Sequence, residues 1–266
     1  MTRRSAEARV PAIFVVPAGL GLAILLLPLA GLVARAPWTR LGQILGSDGV
    51  LTALRLSLVT ATAATVICLL CGIPLAWVLA RGAFRGRSLL RGLVTVPLVL
   101  PPVIGGIALL VAFGRGGTVG QWLERATGTA LPFTTAAVVL AQTFVAMPFL
   151  VIAVEGALRG SDRRYEDVAA TLGASSWTIF RRVTLPAVAP GVLAGAVLCW
   201  ARALGEFGAT ITFAGSFPGV TRTLPIEAYT AIGAGDAETA IVLSLVMITV
   251  AVAVLAALRD RWVVRG

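Results

Sequence analysis

Six long apolar runs, separated by short arginine-bearing segments, restrict what this chain can fold into. Hydrocarbon gives backbone N–H and C=O groups no water to bond, so a spanning segment must satisfy them internally. A helix needs about 20 mostly apolar residues to cross about 30 Å. The runs are Pro11–Ala34, Leu56–Ala80, Leu93–Phe113, Phe133–Val154, Ala187 to about Ala214, and Ala240–Leu258. The expected fold class is all-α and integral to a membrane, with six spans. No internal repeat, low-complexity stretch or linker divides the chain. It reads as one domain over 1–266, with a core at about 51–258 and an N-terminal helix at 11–34. That first run follows Arg3, Arg4 and Arg9 and ends in a cleavage-like Ala34-Arg35-Ala36. It exceeds the roughly 7–15 apolar residues of a signal peptide, and Pro37 follows, so a retained helix is expected.

Composition agrees and excludes other classes. Of 266 residues, 58% are hydrophobic and 13% charged, against roughly a quarter charged in soluble domains. The net charge of +10 does not indicate nucleic acid, because the charges cluster between apolar runs. Every basic residue is arginine. Without lysine the chain cannot carry a standard phosphate-binding P-loop. Without histidine the usual zinc hydrolase and Ser-His-Asp arrangements are unavailable. No catalytic residue, metal site or cofactor is expected in this chain. Cys68 and Cys71, three apart inside an apolar run, read as helix packing, since buried cysteine behaves as a small hydrophobe.

Arginine placement orients the spans, because cytoplasmic segments carry the excess. Arg3, Arg4, Arg9, Arg81, Arg85, Arg87, Arg91, Arg159, Arg163, Arg164, Arg181, Arg182, Arg259, Arg261 and Arg265 fall on one side. Arg35, Arg40, Arg55, Arg115, Arg125 and Arg222 fall on the other. Both termini and the segment 159–186 are therefore expected in the cytoplasm. Prolines mark most runs, and Pro97, Pro101 and Pro102 either bend the third beside a pathway or are ordinary membrane-helix residues.

Segment 159–186 reads as two short helices with a glycine corner. Ser161 or Asp162 can cap the first. Tyr165, Val168, Ala169 and Leu172 form one apolar stripe at i, i+3, i+4 and i+7. Gly173 suits the left-handed position that ends it. Ser175 or Ser176 can cap the second helix, which carries Trp177 and Phe180, and Pro186 begins the next span. Such an amphipathic hairpin either packs on its own bundle or fits a partner's groove. The run DVAATLGASSWTIFRRVTLP, Asp167 to Pro186, resembles the E-A-A-x3-G-x9-I-x-L-P loop of ABC importer permeases. Asp167 stands for the pattern's Glu and Val168 for its first Ala. The resemblance implies a loop docking on a separate ATPase subunit through Glu166, Asp167, Ala169, Ala170, Gly173, Val183, Leu185 and Pro186. With Glu166 beside Asp167, it leaves open which carboxylate meets the ATPase.

The fifth run carries Arg202 and Glu206, four apart on one helix face. Arg202 lies about 22 Å along a helix from Ala187, beyond the bilayer centre. Charges at such depth face a bundle interior or a wet cavity, usually paired. The pair is a structural brace, a pathway or gate element, or both. The dense Gly205, Gly208, Gly215 and Gly219, with Thr210, Thr212, Ser216, Thr221 and Thr223, look unsuited to one uninterrupted lipid-facing helix. Arg202, Glu206, Gly208, Thr210 and Thr212 are the candidate pathway residues. The run ARALGEFGATITFAGSFPGVTRTLPIEAY, Ala201 to Tyr229, resembles molybdate permeases, with sulfate/thiosulfate permeases as near relatives. This implies a type I importer fold, a homodimer and alternating access in a bacterial or archaeal cytoplasmic membrane, surrounded by membrane lipid. The implied partners are an ABC ATPase subunit that binds ATP and magnesium, and an extracytoplasmic oxyanion-binding protein that delivers molybdate or tungstate. A sulfate/thiosulfate permease and an ion-coupled secondary transporter are the alternatives.

Overall fold

The computed structural model describes residues 12–263. Arg3, Arg4, Arg9, Pro11 and Arg265 lie outside them. Among the described residues the chain is helical throughout. A 3-10 turn, Ala12–Phe14, leads into α1 (Val15–Ala34), followed by α2 (Leu41–Leu45), α3 (Asp48–Arg81), α4 (Arg87–Val99) and α5 (Pro102–Phe113). Then come α6 (Thr118–Thr127), α7 (Thr135–Gly160), α8 (Arg164–Thr171) and α9 (Ser176–Ile179). A π-helical turn, Phe180–Thr184, joins α9 to α10 (Leu185–Leu204), and α11 (Gly208–Ala214), α12 (Leu224–Gly233) and α13 (Ala237–Val263) complete the chain.

Five helices are long and apolar enough to cross a membrane, and the bent pair α4–α5 makes six if counted as one span. Lipid tails are as apolar as leucine, so helices associate through close packing rather than by hiding from water. The α3–α7–α10 centre shows this. A Cβ at Gly191 would lie 2.4 Å from the Ala157 Cβ, and one at Gly195 would lie 2.9 Å from the Ala153 Cβ. The small residues let α7 and α10 touch backbone to backbone. Ala61, Ala64, Cys68, Leu150, Val154 and Cys199 are buried between these helices. A second cluster joins α5, α7 and α11 through Leu109, Val138, Ala141 and Phe213. A third sets the start of α3 against α12 and α13 through Val50, Leu224 and Leu243. By contrast, α1 lies at the edge beside α13 and buries none of its most apolar window.

Several expectations need correction. The third run is not one helix over Leu93–Phe113: α4 and α5 bend by 116° at Leu100–Pro101. Two adjacent prolines remove two backbone donors and force the preceding residue into extended geometry. Leu100 obeys, at φ −65° and ψ 133°. Single prolines at Pro74 and Pro148 leave α3 and α7 unbroken. The fifth run starts earlier than Ala187, as a continuous helix from Ser176 to Leu204, and α11 is separate from it. Pro186 does not begin a new element. It sits in the first turn of α10, where the π turn carries the helix into the span. Cys68 is buried and Cys71 exposed, so the two do not share a buried face.

Candidate functional site

Two regions carry the candidate residues. The first is the loop between α7 and α10. Asp162, rather than Ser161, sets its start: Asp162 Oδ1 accepts the Arg164 N–H at 2.9 Å. The eight residues of α8 end at Thr171, and Gly173, two residues on, has a φ of +83° that suits glycine. The corner closes when the Gly173 N–H donates to the Ala170 carbonyl and the Ala174 N–H to that of Ala169, both at 3.0 Å. Ser175 Oγ accepts the Thr178 N–H at 3.3 Å and caps α9. Around this corner the apolar side chains of Tyr165 and Val168 on α8, Leu172 at its C-terminal cap and Trp177 on α9 are exposed.

The other side of the loop grips the bundle. Glu166 Oε1 accepts from Arg81 Nη2 at 2.9 Å and from Thr184 Oγ1 at 3.0 Å. Arg81 Nη2 also donates to Ser161 Oγ at 2.9 Å. The Phe180 ring stacks on Trp177 at 5.6 Å and meets Trp77 of α3 edge-on at 5.1 Å. Asp167 is exposed and forms no side-chain hydrogen bond or ion pair among the described residues. Val183 and Leu185 are half-buried at the join of π turn and span, and Pro186 is exposed.

Close by, a charged cluster escaped the sequence reading. Glu155 of α7 is buried and receives Arg91 of α4 through Nε at 3.0 Å and Nη2 at 2.5 Å. Arg159 reaches it from one turn along α7, with Nη2 at 2.8 Å. The available signal was Glu155 itself, a carboxylate at the rim of an apolar run with arginine four residues on.

The second region is the break after α10. Glu206 is 1% exposed and its Oε2 lies 2.5 Å from Arg202 Nη1. Its Oε1 accepts the Ala209 N–H at 2.8 Å, which holds the start of α11. One carboxylate thus neutralises the arginine and fixes the turn. A Cβ at Gly208 would lie 2.7 Å from the Pro102 Cβ, and one at Gly106 would lie 2.8 Å from the Ala209 carbonyl oxygen. Small residues therefore let α11 lie directly on α5, just past its bend. Thr212 donates to the Gly208 carbonyl at 2.8 Å. Thr210 Oγ1 is buried without a partner among the described residues.

Arg202 also lines a cavity of about 110 Å³ with Pro97, Leu100, Pro102, Gly105 and Phe144. The bend in the third run and the guanidinium of the fifth meet at this cavity. Arg202 and Glu206 come together as the spacing suggests, whereas Gly208 and Thr212 serve close packing in this conformation.

The family model described as "Binding-protein-dependent transport system inner membrane component" matches residues 72–265. The chain is 53% identical over 235 residues to the molybdenum transport system permease protein ModB of Mycobacterium tuberculosis, covering 88% of each. It is 36% identical to the sulfate transport system permease protein CysT of Escherichia coli, covering 73% of this chain and 70% of that one. A crystal structure of a bacterial ABC transporter that imports the acidic polysaccharide alginate superimposes with a TM-score of 0.73. At 16% identity, over 96% of this chain and 95% of that one, that likeness speaks to the fold. A bundle with a bent third run, a broken fifth run and a fixed external hairpin is thus the fold of an ABC importer's membrane subunit, and the chain belongs to the family of binding-protein-dependent transport system inner membrane components.

Proposed function

We propose that this chain is the permease of an ATP-driven importer of molybdate, with tungstate as the nearest alternative cargo. The observation that carries this reading is the 53% identity to a molybdenum permease over 88% of both chains. The assembly has two copies of the chain, two ATPase subunits that bind ATP and magnesium, and one extracytoplasmic oxyanion-binding protein. It sits in a bacterial or archaeal cytoplasmic membrane with both termini and loop 159–186 inside.

The loop docks on the ATPase through the Tyr165–Val168–Leu172–Trp177 stripe, with Ala169, Ala170 and Gly173 shaping the corner. Val183, Leu185 and Pro186 join it to the span. The anion passes Arg202 on the outer half of the bundle. Molybdate is a tetrahedral dianion, and Arg202 gives it hydrogen-bond donors while Glu206 keeps the net local charge low. Such a site attracts the anion without trapping it, as passage requires. Gly208, Thr210 and Thr212 lie where α11 must slide on α5 for the path to open. ATP binding and hydrolysis bias two states of the bundle through their differential affinity for each.

The 36% match to a sulfate permease keeps sulfate/thiosulfate as the second reading, while family membership removes the ion-coupled transporter. The test is ATP hydrolysis by the reconstituted permease, ATPase and binding protein, titrated with molybdate, tungstate and sulfate. Stimulation by molybdate or tungstate where sulfate is inert is the expected outcome. Stimulation by sulfate alone reassigns the cargo and leaves the architecture standing.

A further inference from the structure

Glu166 and Asp167 are neighbours in the docking loop, yet the structure gives them opposite surroundings. Glu166 faces inward. Its Oε1 takes one hydrogen bond from Arg81 and one from Thr184, and the Arg81 and Glu166 side chains are only 9% and 14% exposed. Arg81 ends α3, Thr184 closes the π turn, and Ser161, which also holds Arg81, follows α7. One carboxylate therefore joins α8 to α3 and α10. Asp167 is exposed.

A second contact joins the same elements. Phe180 of the π turn packs edge-on against Trp77, one helical turn before Arg81 and on the same face of α3. Arg81 Nε is already buried without a partner. If Glu166 turned outward to reach an ATPase, the guanidinium would be left buried and uncompensated, which is strongly unfavourable.

We infer that Glu166 is a positioning residue, an internal tie that carries movement of the docking helix into α3, and that Asp167 is the carboxylate the ATPase meets. This rests on the docking reading given above. Because the tie is a charge-assisted bond between two elements, displacement of α8 pulls α3 along instead of being absorbed within the loop.

The test uses the complete complex in proteoliposomes. Two quantities are read: affinity for the ATPase, and cargo imported per ATP hydrolysed. Glu166→Gln and Arg81→Gln should keep the affinity within about twofold and lower import per ATP about tenfold, the size of a lost hydrogen bond between charged groups. The exchange Arg81→Glu with Glu166→Arg should recover part of that loss, which a residue that merely fills space would not do. Asp167→Asn should do the reverse, lowering affinity about tenfold while assembled complexes keep their import per ATP. The inference is overturned if Glu166→Gln loses affinity as Asp167→Asn is expected to, or if the exchange is no better than the single changes. Should Arg81→Gln fail to insert, Thr184→Val removes one donor only and should lower import per ATP by a smaller factor; an unchanged ratio there overturns the tie. If the unaltered chain retains no ATPase, the docking reading fails and the tie with it. That failure appears in the unaltered control, whereas failure of the tie alone appears only in the variants.

Discussion

Two Arg–Glu pairs, one in the loop that precedes the fifth run and one at the break after α10, show how the same chemistry serves different ends. Arg81–Glu166 spans 85 positions and joins elements far apart in sequence. Arg202–Glu206 is one helical turn long and stays local, bracing the exit of α10 and the start of α11. Beside the Arg81–Glu166 pair, the apolar side chains of Tyr165, Val168 and Leu172 stay exposed. The Arg202–Glu206 pair leaves its guanidinium lining a small cavity. On the docking reading, changes to the loop's exposed face should therefore cost a partner, whereas changes at the break after α10 should cost stability.

Arg202→Ala should have the largest effect. It strands the Glu206 carboxylate at 1% exposure, a change that costs about 3–5 kcal/mol for a fully buried pair. Partial exposure of Arg202 places it near the lower end. Yield and thermal unfolding in detergent measure it, and adding Glu206→Ala should recover stability; a double variant worse than the single would contradict the brace. Gly173→Pro comes next, at about 3 kcal/mol of local disruption, because proline cannot reach φ +83° and lacks the N–H donated to Ala170. The protein should still insert but no longer retain the ATPase in a pull-down; normal retention would remove the docking role.

Leu172→Asp should weaken ATPase affinity by about 2 kcal/mol, roughly thirtyfold, by placing an unpaired charge in the contact. Leu172 is 82% exposed, so yield and unfolding should not change, and a stability loss there would erase the contrast between the two regions. Ser175→Ala should be smallest, about 1 kcal/mol for a lost helix cap. Faster amide exchange at Thr178, with other amides unchanged, is its signature.

What could be read in advance follows the range of the interactions. Hydropathy located the runs because each crossing must satisfy its own backbone within about 20 residues. Gly173 and the Arg202–Glu206 pair were legible for the same reason: each involves neighbours within one turn. Pro101-Pro102 marked the bend but not its 116°, which depends on how α5 packs against α7 and α11. The fourth run was expected to stop at Val154, yet α7 continues to Gly160 because Arg91 and Arg159 compensate Glu155. Only Arg159 is local. Pro186 suggested a boundary that the π turn removes, and no short-range pattern revealed that Glu166 belongs to Arg81.

The π turn has a mechanical consequence. By fusing α9 to α10, it makes Ser176–Leu204 a single rod of 29 residues. At 1.5 Å per residue, Phe180 and Arg202 stand about 33 Å apart along it. If that rod pivots at its docking end by about 10°, the guanidinium sweeps about 6 Å, given the length set by helical rise. Glu206, two residues past Leu204 and bonded through its N–H to the Ala203 carbonyl, moves with Arg202, so the sweep passes to the start of α11, whose Ala209 N–H Glu206 holds. The hairpin is the short arm of a lever, and the cavity lined by Arg202 sits at the tip of the long one.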